Sequence, residues 1–294
     1  MSDRRRIVHI GIIYLLPALV LITMFSIVPF VWNMILSFQK WNGFGAPQNI
    51  GLANYIYVLK NQLTQRALTN SVLYAFASTA GGLLFGLLFA TLIFRLPAKE
   101  GGIFRLILYS PAMLPTAVVG IMFVFFFNPE MGLLNNFLRL IGLNSLTHVW
   151  LQDRSTAMAC IIFVAIWKCS GSIMMLTFAA IQSVPASLYE SSYMDGATFR
   201  QQMTQIVLPL IKPTILLATI NTLGGQFKSY DLIFTMTQGG PADLTTTVPI
   251  VMKKTAFIFG SFGSAASMGA LFTIVVAASI LLVRLILRGD SYEY

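Results

Sequence analysis

Charge is scarce in this sequence. Only 10% of its 294 residues are Asp, Glu, Lys or Arg, against roughly 25% in a typical soluble domain. With 56% hydrophobic residues the chain cannot clothe itself in a water-compatible surface, and its composition belongs to a bilayer. Cysteine is nearly absent. Cys160 and Cys169 lie nine positions apart in one apolar run; along an α-helix that is about 13 Å, roughly twice what a disulfide spans, so both read as small apolar side chains. The two histidines, His9 and His148, have no second ligand near them in sequence, which argues against haem and metal chemistry. No G-x-x-x-x-G-K-[ST] loop is present, and GGQFKS at 224–229 has the wrong spacing for one, so no phosphate cradle can be assigned. A nucleophile elbow and a convergent carboxylate pair are missing as well. Six of the ten acids (Asp3, Glu100, Glu190, Asp195, Asp290 and Glu293) fall on one side of the apolar runs, and the remainder could hardly equip a membrane enzyme. The net charge of +9 does not point to nucleic acid, because the bases form no stripe interleaved with stacking aromatics.

What is there is a set of six long apolar runs, near 9–38, 69–94, 105–127, 155–181, 208–236 and 263–287. Each is long enough to cross a hydrocarbon core of ~30 Å as a helix. Their hydrophobicity is continuous and not alternating, which excludes a barrel. The expected fold is all-α: one polytopic membrane domain over 1–294 with six transmembrane helices. The first run follows Arg4, Arg5 and Arg6 but is too long for a signal-peptide core and lacks a small-x-small exit, so it reads as a retained span. With the amino terminus in the cytoplasm, the inner flanks hold Arg4, Arg5, Arg6, Arg95, Lys99, Arg105, Arg200, Lys212, Arg284 and Arg288. The outer loops hold Lys40, Lys60, Arg66, Arg139, Arg154, Lys253 and Lys254. That bias, with the inner bases crowded against span ends, sets the amino terminus inside. In an outer loop, LLNNFLRLIGL reads as a short amphipathic helix with Leu133, Leu134, Phe137, Leu138 and Ile141 on one face, packed on the end of the bundle.

Charged groups at membrane depth are costly unless they face a cavity or a partner. Lys168 stands in the middle of the fourth run with no partner nearby in sequence, and reads either as facing an aqueous cavity or as bonded to another helix. Lys228 and Asp231, towards the outer end of the fifth, read either as an i,i+3 ion pair or as part of a solute path. Trp167, Asn221, Gln226 and Tyr230 complete the solute candidates, with interhelical hydrogen bonding as the alternative.

The stretch LYESSYMDGATFRQQMTQIVLPLIKPT at 188–214 is polar between two apolar runs. Pro185 can open a helix, residues 186–195 contain no breaker, and Gly196 stands where a glycine would stop it. Leu188, Ser191, Ser192 and Asp195 recur at helical steps, lining one face with small residues beside Glu190. A second helical piece over 198–206 leads to Leu208-Pro209, with Pro209 in the first turn of span five. The segment 182–209 is thus expected to form a helix–turn–helix knob on the cytoplasmic side.

Its spacing, Glu190, Gly196, Ile206, Leu208 and Pro209, resembles the EAA loop of ABC-importer permeases, and Tyr189 to Ala197 resembles the carbohydrate branch, the maltose and glycerol-phosphate permease type. GLANY at 51–55, FRLILYSPAMLP at 104–115 and DLIFTMTQGGPADLTTT at 231–247 extend the likeness over most of the chain. Ser191 and Ser192 replace two alanines of that pattern. The resemblance implies a permease of a prokaryotic inner membrane that imports a sugar or oligosaccharide. Its implied partners are a second homologous permease, two cytoplasmic ATPase subunits carrying ATP and Mg, and an extracytoplasmic solute-binding protein. No cofactor would be bound by this chain. Tyr189, Glu190, Ser191, Ser192, Asp195, Gly196, Ala197, Ile206, Leu208 and Pro209 would make the ATPase-coupling element. Gly239, Gly240 and Pro241 would meet the binding protein. The lysines near the solute path suggest an acidic sugar. An ion-coupled carrier is the alternative, for which Asp231 is the one acid near membrane depth.

Overall fold

The computed structural model describes residues 14–287. The Arg4–Arg6 cluster, the first residues of the expected opening span from His9, and Arg288 lie outside the described residues. The regular structure of the described chain is helical apart from one two-residue strand pair. Four helices are long and apolar enough to cross a membrane: α1 (Tyr14–Leu36), α3 (Gln62–Phe94), α7 (Ala157–Ser183) and α13 (Phe262–Ile286). Two further spans are bent pairs, α4 (Ala98–Met113) with α5 (Thr116–Phe126), and α9 (Phe199–Leu210) with α10 (Lys212–Phe227). Short helices fill the connections: α2 (Ala53–Lys60), α6 (Leu133–Leu140), α8 (Ala186–Met194), α11 (Asp231–Thr237) and α12 (Val248–Lys253). In lipid every backbone polar group needs an internal partner, and a helix supplies it within one segment.

Two of the expected spans are not straight. The run 105–127 is broken by a 98° bend. Pro115 has no N–H to donate and forces Leu114 into an extended conformation (ψ 140°), so α4 ends there. The run 208–236 is broken twice. Pro209 lies in the last turn of α9 and not at the start of the span; a 69° bend follows, and Pro213 takes the first turn of α10. At the other end α10 stops at Phe227, where Lys228 and Ser229 close tight turns on Gly225 and Gln226, and α11 starts afresh at Asp231. A π turn over Gln202–Val207 precedes Pro209; widening the helix there relieves the clash a proline ring makes with the carbonyl four residues back.

The chain divides into two compact units. One takes in residues up to Gln65 and Val251–Thr273. Here β1 (Gln39–Lys40) pairs antiparallel with β2 (Gln48–Asn49). The buried Asn54 of GLANY donates to the Ser37 and Gln39 carbonyls at 2.9 Å each and accepts from the Ser264 hydroxyl at 3.1 Å. Burying an amide is tolerable only when its polar atoms are satisfied in this way.

The other unit comprises Arg66–Ile250 and the chain from Ile274 on. Its helices approach closely at glycines. On α7, Gly171 lies against the backbone of Leu108 and Tyr109 in α4; on α3, Gly82 and Gly86 lie against Ile173 of α7; in α5, Gly120 lies against Thr235 of α11. Small residues of this kind let membrane helices gain van der Waals contact where no hydrophobic force between helices is available. One core cluster gathers around Tyr74, Ile161, Val164 and Ile233, and a second around Met174, Ile181, Met203 and Val207. The amphipathic helix α6 forms, and its apolar face is divided: Leu134 packs against the first core cluster and Leu138 is half-buried, whereas Leu133, Phe137 and Ile141 are exposed. The buried side chain is Asn135, which donates to the Pro129 and His148 carbonyls and accepts from the Trp150 indole at 2.8 Å. Polar satisfaction at Asn135 and the packing of Leu134 together anchor this helix.

Candidate functional site

A cavity of about 480 Å³ opens in the second unit, walled by α3, α4, α5, α7, α10 and α11. Six of the seven solute candidates lie along it: Lys168, Asn221, Gln226, Lys228, Tyr230 and Asp231. Lys168 lines the cavity, and its ammonium donates to the Ala112 carbonyl of another helix at 3.4 Å. That carbonyl is free because α4 ends one residue later; in a continued helix it would accept from Thr116, which instead begins α5. The lysine thus caps a helix C-terminus and sits at the negative end of its dipole. The expected i,i+3 ion pair between Lys228 and Asp231 does not form. The break at 228–230 puts Lys228 at the end of one helix and Asp231 at the start of another, so helical i,i+3 geometry never applies. Both are exposed to the cavity.

Trp167 is not brought to the cavity. Its ring packs 5.3 Å from Phe123 in the neighbouring core cluster, about 100° around α7 from Lys168. Several lining groups are absent from the sequence-based candidates: Tyr74, Thr116, Ser172, Thr222 and Ser229. Ser172 follows Lys168 by four and Gln226 follows Thr222 by four, so helical spacing held the signal. Tyr74 held none; its hydroxyl meets Ser229 Oγ at 3.1 Å, a pairing set by tertiary structure.

The helical loop follows the C-terminal end of α7. α8 runs to Met194, and Gly196 adopts φ +77°. The Ala197 N–H reaches the Ser192 carbonyl and the Gly196 N–H the Tyr193 carbonyl, both at 3.0 Å, which is the Schellman arrangement for ending a helix. Thr198 and Gln201 then form a reciprocal capping box that starts α9, a signal that T-x-x-Q spelled out. The small-residue face expected of α8 is divided. Ser191, Glu190 and Asp195 are exposed, whereas Ser192 is buried. Its hydroxyl donates to the Tyr189 carbonyl at 2.9 Å and accepts from the Gln202 amide at 2.9 Å. Of the two serines, only Ser191 faces outward. Ala197, Ile206 and Leu208 are half-buried, and Pro209 is exposed.

The third candidate group, Gly239, Gly240 and Pro241, forms a tightly braced turn. Gly239 is buried against Thr246, and left-handed backbone recurs at Gln238, Ala242 and Asp243. Thr245 donates to the Gly240 carbonyl at 2.6 Å, and Asn70 of α3 holds the Leu244 and Thr246 carbonyls at 3.0 and 2.8 Å. Left-handed non-glycine residues persist only where surrounding structure enforces them.

The sequence pattern of one family, described as "Binding-protein-dependent transport system inner membrane component", matches residues 82–289. The chain belongs to that family. Among its relatives is the probable ABC transporter permease protein YurN of Bacillus subtilis, 35% identical over 90% of this chain and 91% of that protein. The sulfoquinovosyl glycerol transport system permease protein SmoG of Agrobacterium fabrum is 28% identical, over 96% of this permease and 91% of its own length. In fold, the permease resembles a chain of a bacterial alginate ABC transporter solved with an alginate pentasaccharide-bound periplasmic protein. The TM-score is 0.85 at 24% identity, covering 98% of each chain.

Proposed function

We propose that the permease is the membrane subunit of an ATP-driven importer that passes a sugar or oligosaccharide inward from an extracytoplasmic binding protein. The observation that carries this reading is the cavity. It presents amides, hydroxyls and a tyrosine ring where a carbohydrate needs them, between helices that break at its level. Broken helices aim their freed polar termini at solutes in transporters of several kinds. The sugar named for SmoG and the alginate bound in the alginate transporter complex support the cargo class. The partners proposed are a second permease, two ATPase subunits that bind ATP and Mg, and the binding protein. This chain contributes no ATP site. Its amino terminus and the loop 182–209 face the cytoplasm in a prokaryotic inner membrane. ATP binding closes the ATPase pair and pushes on the loop; the bundle opens outward, accepts the sugar, and hydrolysis resets it. The test is reconstitution in vesicles: uptake should require ATP, the ATPase subunits and the binding protein together. Uptake by the chain without ATPase subunits, driven by an ion gradient, would favour a carrier instead.

An acidic cargo is favoured by one feature. The charged side chains lining the cavity are two lysines and one aspartate, and the hydrogen bond Lys168 makes is to a neutral carbonyl. A carboxylate or other anion would gain a charge-assisted bond there. Lys168→Met should therefore lower uptake of a uronate disaccharide about tenfold while sparing a neutral disaccharide. Equal effects on both sugars would remove the case for an acid.

A further inference from the structure

Two struts of the second unit run from the cavity to the loop. α3 has Tyr74 in the cavity wall and ends at Phe94; α7 has Lys168 there and ends at Ser183. At ~1.5 Å per residue they are rods of about 30 Å and about 20 Å over those stretches. The loop is fastened to the far end of each. The Tyr189 hydroxyl donates to the Ile181 carbonyl of α7 at 3.0 Å, and the Tyr189 ring lies 5.5 Å from that of Phe94. Pro185, four residues ahead, has no N–H to offer the Ile181 carbonyl, which instead accepts from the Tyr189 hydroxyl and, at 3.4 Å, from the Val184 N–H. Burial pushes the Tyr189 hydroxyl pKa up, so the donor keeps its proton. At the start of α9, the Phe199 ring lies under the guanidinium of Arg95, the residue that follows α3, at 4.7 Å. Among the described residues Arg95 pairs with no carboxylate. Gln202 joins the two halves of the loop by donating to Ser192 Oγ at 2.9 Å and to the Tyr189 carbonyl at 3.4 Å.

These contacts all lie on the inner side of the loop, while Glu190, Ser191 and Asp195 stay exposed on the other. We propose that Arg95 and Phe199, with Tyr189 on Phe94 and Ile181, form a clamp that converts a push on the loop into movement of α3 and α7. It rests on the coupling role proposed above, and makes Arg95 and Phe199, which lie outside the cavity lining, positioning residues. A bare connector would transmit force only through its covalent links, to α7 across Val184-Pro185 and to α10 across the 69° bend at Ile211. The clamp adds a direct attachment to α3, through Phe94 and Arg95, and braces the existing joint with α7 through Ile181.

The test uses the complete transporter, with ATP hydrolysis measured with and without its binding protein carrying its bound sugar. Arg95→Leu and Phe199→Leu should each keep the ATPase subunits bound but cut the binding-protein stimulation of hydrolysis about fivefold, the scale of one cation–π contact. The double variant should be no worse than either single one, because both remove the same contact, and Arg95→Lys should retain most of the stimulation. Unchanged stimulation in the single variants, loss of ATPase subunits in step with stimulation, or an Arg95→Lys variant as defective as Arg95→Leu would each overturn the clamp. A wild-type chain that holds no ATPase subunits would overturn the coupling role, and the clamp with it.

Discussion

Gly171→Ala should cost the permease about 3 kcal/mol or more of stability, and much of its folded yield. A Cβ at Gly171 would stand against the Leu108 carbonyl and 3.0 Å from the Tyr109 Cα. Both obstacles are backbone, so no rotamer change relieves the overlap and α4 must move off α7. That shift withdraws Ala112 from Lys168 and opens the cavity wall. Gly225→Ala is the control. It lies in the same cavity wall, but its Cβ would meet nothing within 4 Å, and alanine is the better helix former. Thermal unfolding of the two variants in detergent should separate them clearly. Coincident melting curves would mean that the α4–α7 contact is not the tight joint described here.

Gly196→Val should leave an inserted, folded permease that does not transport. Nothing lies within 4 Å of a Cβ at Gly196, so the cost is conformational and local. At φ +77° an L-residue pays about 1–2 kcal/mol, and a β-branched one more. The relief is to abandon the left-handed turn, which undoes the Ala197–Ser192 bond and misaligns the Thr198–Gln201 box. α8 would then no longer present Glu190 and Ser191 at a fixed angle. Asparagine tolerates the left-handed region, so Gly196→Asn should keep a substantial part of ATP-dependent uptake where Gly196→Val keeps almost none. Equal uptake by the two variants would show that the turn has no part in coupling.

The contrast between these glycines also shows what the sequence could reveal. Gly196 was legible because its role is local: a glycine after a breaker-free helix stops it, whatever surrounds it. Gly171 was not, since its neighbour is the backbone of another helix. The runs that became α3, α7 and α13 were legible because continuous hydrophobicity decides their length. The bend at Leu114-Pro115 was not, because membrane helices tolerate proline as a kink as readily as a break. Lys168, Asn221, Gln226, Lys228 and Asp231 stood out as polar groups in apolar surroundings, and the structure gathers them around one cavity. Trp167, an aromatic suited to stacking on a sugar, instead packs on Phe123, because the position next to Lys168 on a helix belongs to a different face. Arg95 and Phe199 had no signal, being distant in sequence and ordinary in type.

The exposed side of α8 is the proposed contact through which a separate ATPase drives this permease. The most direct measurement places a single cysteine there, Glu190→Cys, in a chain whose Cys160 and Cys169 are replaced by alanine. The rate of reaction with a membrane-impermeant maleimide is then compared with and without the ATPase subunits, from the cytoplasmic side. Strong protection when the ATPase subunits are bound is the predicted result. An unchanged labelling rate in the assembled complex would contradict it.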